Sequence, residues 1–228
     1  MMKAGTTIHP RSIEFQQKRL FCDLDYFSEL EERITALRQE DRGPAFEAFA
    51  EAYVATQPRF QAKHVWLGRN IPRAVRTKLS LPRTDKGADG IYEDQEGSFH
   101  ALQMKFRSNR EPLTWTEWST FFGIADRVQD KWVFTNSTKV DEVSEDRQGF
   151  ITVYGHDLDR LERQDFSAID SWIQGDITVP KPNEPRDYQR DAIQDCLDAF
   201  KTNDRASCVM ACGTGKTLVA LWIAERLQ

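Results

Sequence analysis

Residues 210–217 read Met-Ala-Cys-Gly-Thr-Gly-Lys-Thr, with an apolar run before them and the helix-like run "LVALWIAERL" after them. Few short stretches restrict a fold so strongly. Two glycines flanking one residue let the chain turn tightly enough for successive backbone N–H groups to converge on phosphate oxygens at a helix N-terminus. "ASCVMACGTGKTLVALWIAERL" is therefore predicted to form strand, turn and helix in immediate succession. Only eleven residues follow Thr217, so the chain is expected to start a nucleotide-binding domain and not to finish it.

What precedes that turn is long enough for a domain of its own. The chain has 228 residues, 39% hydrophobic and 29% charged, as in a soluble globular protein. "VPKPNEP", with Pro180, Pro182 and Pro185, is stiff, polar and poor in donors. It divides the sequence into residues 1–178, a linker over 179–185, and 186–228. No stretch approaches the roughly 20 apolar residues of a membrane span, and none resembles a secretory signal. The four cysteines, Cys22, Cys196, Cys208 and Cys212, form no Cys-x-x-Cys pair. That points away from zinc and toward reduced thiols in a cytoplasm.

The net charge of −5 argues against a generic nucleic-acid binder, but the distribution is uneven. From Gln57 to Thr84 there is no acid, while Arg59, Lys63, Arg69, Arg73, Arg76, Lys78 and Arg83 are all basic. His64 and Trp66 lie among them. The block is either a surface for phosphates, with Arg69, Arg73, Arg76 and Lys78 as contacts, or a solvated basic face.

Apolar spacing predicts helix from Ser12 to Gln39, broken at Asp41-Arg42-Gly43-Pro44. In the next helix Phe46, Phe49, Ala50 and Tyr53 share a face, with Glu47 beside it. "DGIYEDQEGSFHALQMKF" reads as strand, turn at Asp94 to Gly97, and strand. "TWTEWSTFFGIADRV" is helix-like, "KWVFTN" and "FITVY" are strand-like, and "DLDRLERQDFSAIDSWI" is helical again. The expectation is a mixed α/β domain ending near Ile173.

On the second strand of the hairpin, Gln103 and Lys105 share one face and Leu102, Met104 and Phe106 the other. Burying the apolar face leaves Gln103 and Lys105 beside Asp89. An acid, an amide and an amine at one point of a sheet suit phosphodiester hydrolysis. Asp89 can hold Mg²⁺, the backbone carbonyl of Met104 can complete its shell, and the Lys105 ammonium can stabilise developing charge.

"GADGIY…ALQMKF" resembles the motif of PD-(D/E)XK nucleases, in particular the Mrr-like group with Gln-x-Lys. "GPAFEAFAEAYV" is similar to the opening helix of that group, where Glu47 matches an acid that can join the site, and "WVFTNSTKVDEV" to the following strand and loop. The resemblance implies a restriction-endonuclease-like, four-stranded mixed sheet flanked by helices, acting on double-stranded DNA with Mg²⁺. Asp89, Gln103, Lys105 and Glu47 are its candidate residues. Ala88 stands where the motif has proline, and Gln103 brings no carboxylate charge.

After the linker, "EPRDYQRDAIQDCLDAF" reads as a helix with Tyr188, Ala192, Ile193, Cys196, Leu197 and Phe200 on one face. The turn follows Gly-x-x-x-x-Gly-Lys-Ser/Thr, with Met210 at the first glycine position. Gly213, Thr214 and Gly215 would cradle ATP phosphates, Lys216 reach the β- and γ-phosphates, and Thr217 the Mg²⁺. "RDYQRDAI" resembles the Q motif of superfamily 2 helicases, which makes Gln189 the adenine-reading candidate. A nuclease followed by the start of a RecA-like motor resembles Type ISP restriction enzymes. That resemblance implies motor, methyltransferase and target-recognition domains downstream. A nuclease-like fold that only tethers a motor to DNA, and a helicase accessory domain, are the alternatives.

Overall fold

The computed structural model describes residues 9–82, 88–117, 119–141, 149–175, 185–210 and 215–227. The chain divides into two compact units, Met1–Pro180 and Lys181–Gln228.

The first unit is organised around one apolar helix, α3 (Gln39–Thr56). Phe46, Phe49, Ala50 and Tyr53 are buried as their spacing predicts, but so are Ala45, Ala48, Ala52 and Val54. The helix is enclosed on nearly all sides over its second half. It packs against β1 (Ala62–Leu67), β3 (Phe99–Lys105) and α7 (Arg163–Ile173). The predicted break at Asp41–Pro44 does not occur, because α3 starts at Gln39 and runs through Pro44. Pro44 is the sixth residue of the helix and removes one backbone bond, to the Glu40 carbonyl, a loss offset by the packing of the buried second half of α3.

The predicted helix over Ser12–Gln39 is in fact two, α1 (Ser12–Gln17) and α2 (Phe27–Thr35). Arg19 and Asp23 take left-handed backbone angles, φ 56° and 51°, and turn the chain between them. The Arg33 guanidinium secures the turn by donating to the carbonyls of Arg19 and Cys22 at 2.9 and 2.6 Å. Phe15, Leu20, Leu24, Phe27, Leu30 and Ile34 are all buried, so the apolar pattern held while the continuity did not.

The sheet has five strands in the order β1-β2-β3-β4-β5, with β2 Gly90–Asp94, β4 Lys131–Thr135 and β5 Phe150–Val153. β1, β2 and β3 run antiparallel, whereas β4 and β5 lie parallel to β3. The implied four-stranded sheet thus gains β1, which lies inside the basic block. Its run Val65-Trp66-Leu67 is buried against neighbouring elements while Lys63 is exposed. The hairpin turn lies where expected, with the Gly97 N–H bonded to the Asp94 carbonyl at 3.2 Å and Gly97 at φ 85°.

Both faces of the sheet are covered. Leu102 and Met104 join the core under α3. Ala101, Ile91 and Val133 join a second core with Phe121 of α5 (Ser119–Ile124) and Leu79, which follows α4 (Arg73–Lys78). Gln103, on the opposite face of β3 from Leu102 and Met104, is itself buried, at 5% exposure. The helix-like "TWTEWSTFFGIADRV" shrinks to a single 3-10 turn at Trp115–Glu117 and α5. "DLDRLERQDFSAIDSWI" divides into α6 (Gly155–Leu158) and α7. The break is set by Asp165, whose carboxylate accepts the Glu162 N–H at 2.9 Å and caps α7.

The exit from β3 is locked. Arg110 donates to Glu31 on α2 and to Asp159 at 2.7 Å each. Asn136 accepts the Arg107 N–H at 2.7 Å and donates to Glu31 at 2.6 Å. The end of β3 is thereby held against α2.

In the second unit α8 (Asp187–Phe200) buries Gln189, Ile193 and Cys196, while Tyr188 is exposed. α9 (Lys216–Leu227) follows the glycine turn as predicted. The strand expected before it is not formed: residues 205–210 pair with no strand, and Val209 is 95% exposed. An isolated extended segment leaves its backbone groups to water, and this unit contains no neighbouring strand among its described residues.

Candidate active site

Asp89 sits one residue before β2, where the sheet is already formed on both sides of it. Its N–H donates to the Leu102 carbonyl at 2.9 Å, and its carbonyl accepts the Gly68 N–H at 2.8 Å. Gly90 pairs with Leu102, so the antiparallel register sets Asp89 opposite Gln103 and on the same face. The Gln103 amide donates to Oδ2 of Asp89 at 2.5 Å, and the Met104 N–H donates to the same oxygen at 2.7 Å. Backbone groups of alternate residues in a strand point to the same edge, so the Met104 carbonyl shares the Asp89 side of β3. Lys105, the last residue of β3 and half-buried, shares the Gln103 face, and its ammonium makes no hydrogen bond or ion pair among the described residues.

Glu47 reaches the same region from α3. A cleft of about 480 Å³ is lined by Glu47, Asp89, Gly68, Arg69, Asn70 and His9, among others. The fold therefore brings Asp89 and Glu47 to one cleft, with Gln103 and Met104 behind Asp89. Gln103, Met104 and Lys105 do not themselves line it.

Two residues of this region were not expected. Glu51 is fully buried one turn beyond Glu47, with Oε2 accepting the His9 N–H at 2.6 Å and Oε1 without a hydrogen-bond partner among the described residues. Burial pushes its pKa up to about 8, against the smaller opposing effect of the His9 N–H. His9 accepts the Arg11 N–H on Nδ1 at 3.2 Å and presents Nε2 to Oε2 of Glu47 at 3.5 Å. The spacing Glu47-x-x-x-Glu51 inside an apolar helix was a visible signal for Glu51. Nothing local marks His9.

The basic block does not form a single surface. Arg76 donates to the carbonyls of Gly68, Ile71 and Pro82 at 2.5, 3.3 and 2.9 Å, tying α4 to the segment that lines the cleft. Arg59 lies over the rings of Tyr53 and Phe60 and donates to the Tyr53 hydroxyl at 2.8 Å. Arg69, Arg73 and Lys78 are exposed, with the Lys78 ammonium 4.5 Å above the Phe99 ring. Arg83 lies outside the described residues.

Of the residues expected to bind a nucleotide, Gly213 and Thr214 lie outside the described residues. Gly215 has φ 79°, a left-handed angle that favours glycine. Lys216 opens α9 and donates from Nζ to the Met210 carbonyl at 3.2 Å, and Thr217 is exposed on the first turn. Gln189 accepts the Arg186 N–H at 2.9 Å. A Cβ on Gly215 would lie 2.7 Å from Nε2 of Gln189, so this side chain rests against the glycine turn.

Among the described residues, no group of three or more His, Cys, Asp or Glu side chains is placed to hold a metal ion, and no helix is long and apolar enough to cross a membrane.

Residues 55–172 match the Mrr_cat_2 family model, described as restriction endonuclease. Residues 183–228 match the ResIII model, described as the res subunit of Type III restriction enzymes. Among solved structures, the chain is similar to the ATP-dependent Type ISP restriction-modification enzyme LlaBIII bound to DNA. The TM-score is 0.58 at 23% identity, over 86% of this chain and 13% of that one. A second similar structure is the DNA modification-dependent restriction endonuclease AspBHI, with TM-score 0.38 and 18% identity over 70% of this chain and 39% of that one. Comparison with curated proteins finds no match.

Proposed function

The chain belongs to the restriction endonuclease family, and from that premise we propose that residues 1–178 form a Mg²⁺-dependent DNA endonuclease domain hydrolysing phosphodiester bonds. The observation that carries this reading is the Asp89 carboxylate. It is oriented by Gln103 and Met104, at one cleft with Glu47.

The donors fit a hard cation: two carboxylates line one cleft, a backbone carbonyl lies on the Asp89 side of β3, and no thiol lines the site among the described residues. Asp89 and the Met104 carbonyl would hold Mg²⁺, with Glu47 as a further ligand. A bound Mg²⁺ supplies charge neutralisation at the phosphate and a water of lowered pKa. The chain's own residues do the rest. Gln103 fixes the rotamer of Asp89 from the buried side and brings no second negative charge. Lys105 provides an ammonium, at the end of β3, for charge developing on the phosphate. Arg69, Arg73 and Lys78 are the cations available to DNA phosphates, while Arg76 is used to hold the cleft wall.

For residues 186–228, behind a linker over 179–185, we infer the opening of a RecA-like, ATP-binding motor domain. Its nucleotide would contact Gln189, Gly213, Thr214, Gly215, Lys216 and Thr217. The chain spans 13% of the length of the Type ISP enzyme it resembles. We further propose, from the sequence resemblance to Type ISP restriction enzymes, that motor, methyltransferase and target-recognition domains are covalent partners of this chain and that its site of action is cytoplasmic.

A second reading is supported by the same Gln103. Its nitrogen, not its oxygen, faces Asp89, which suits a nuclease-like fold that binds DNA without cutting it. Plasmid nicking with and without Mg²⁺ distinguishes the two. The endonuclease reading expects nicking that requires Mg²⁺ and disappears in Asp89→Ala. Metal-independent nicking, or nicking retained by Asp89→Ala, rejects it, and DNA binding without nicking establishes the tether.

A further inference from the structure

His9 lies on the wall of the cleft and is held on every side but one. Its backbone N–H donates to Oε2 of Glu51 at 2.6 Å. Its Nδ1 accepts the Arg11 N–H at 3.2 Å, which in the neutral ring places the proton on Nε2. The Arg11 guanidinium is in turn held by Glu14 and by Asp41 of α3, at 2.8 Å each. With backbone and Nδ1 secured, Nε2 meets Oε2 of Glu47 at 3.5 Å. Contacts of this kind are commonly long before a ligand arrives and shorten when it binds.

The position of Glu51 gives the arrangement its meaning. An acid enclosed in an apolar core is costly unless its oxygens are used. Oε2 is used to fix the backbone of residue 9, four residues along the helix from the carboxylate that faces the cleft. Glu47 and Glu51 therefore act from one helix on one histidine, through its ring and its backbone.

We propose that His9 is a positioning residue of the cleft: its Nε2–H orients the Glu47 carboxylate beside Asp89, and Glu51 holds His9 in place to do so. The proposal rests on the metal-dependent nuclease reading. Partners that orient a ligating carboxylate are typically worth roughly 10–100-fold in metal affinity.

The test is calorimetric Mn²⁺ binding and thermal melting of the 228-residue chain as wild type, His9→Asn, His9→Gln and Asp89→Ala. His9→Asn keeps an acceptor for the Arg11 N–H but removes the donor to Glu47. His9→Gln restores an N–H near the Nε2 position. The expected result is Mn²⁺ binding weakened roughly 10–100-fold in His9→Asn at an unchanged melting temperature, and largely recovered in His9→Gln. Equal Mn²⁺ affinity in wild type, His9→Asn and His9→Gln overturns the proposal and reduces His9 to a docking residue. If Asp89→Ala still loses the ion in that case, the nuclease reading survives alone. A wild type that binds no Mn²⁺ overturns both.

Discussion

Gln103 donates its side-chain amide to Oδ2 of Asp89 across 2.5 Å, on the oxygen that also accepts the Met104 N–H. The amide therefore acts as a donor that orients the acid, in a position where a carboxylate would set two negative charges against each other. Gln103→Glu is expected to lower the stability of the metal-free chain by about 1.5–3 kcal/mol, the value of a hydrogen bond to a charged group. Mn²⁺ should then raise the melting temperature of the variant more than that of the wild type. Thermal melts with and without Mn²⁺ measure this, and equal shifts would remove residue 103 from the surroundings of the ion.

Lys105 ends β3 with its ammonium in no hydrogen bond or ion pair among the described residues. Lys105→Ala is expected to change stability by less than about 0.5 kcal/mol. Nicking should fall by about 10²–10³ if the ammonium stabilises charge in the transition state. Single-turnover cleavage within a few-fold of wild type would end its catalytic assignment.

The basic block divides by role. Arg76→Ala removes donors to three carbonyls and should destabilise the fold by about 1–3 kcal/mol through the unsatisfied groups it leaves. Arg73→Glu with Lys78→Glu should leave the melting temperature nearly unchanged, weaken DNA binding, and flatten its dependence on salt. Fluorescence anisotropy at several salt concentrations checks this. An unchanged slope would return these two residues to a solvated surface.

Glu51 sets a pH dependence of known sign. Burial raises its carboxyl from 4.5 to about 8, so between those values the folded state binds more protons than the unfolded state. Its contribution is complete below about pH 4.5 and is lost as pH rises through about 8. Glu51→Gln, neutral at every pH, should flatten the fall of stability over this window. Denaturant titrations from pH 5 to pH 8.5 would show it. A wild type and variant with parallel profiles would mean that Glu51 is ionised throughout.

Much of this protein was legible in the order of its residues. The hairpin of β2 and β3, the glycine-turned start of α9 and the apolar face of α3 follow from local spacing, since each is set by neighbours within a few positions. The contact of Gln103 with Asp89 was also readable, because alternation along a strand and a short turn determine it. Tertiary structure decided the rest. Whether Ser12 to Gln39 is one helix or two depended on Arg33 bonding carbonyls more than ten residues away. β1 had a weak pattern, because a strand beside a paired neighbour needs little propensity of its own. Among the described residues, the strand expected before the glycine turn has no such neighbour and is not formed. The cleft was the least local feature, since His9, Glu47 and Asp89 come from three separate segments. Packing of α3 on the sheet brings them together, and no periodicity within any one segment encodes that distance.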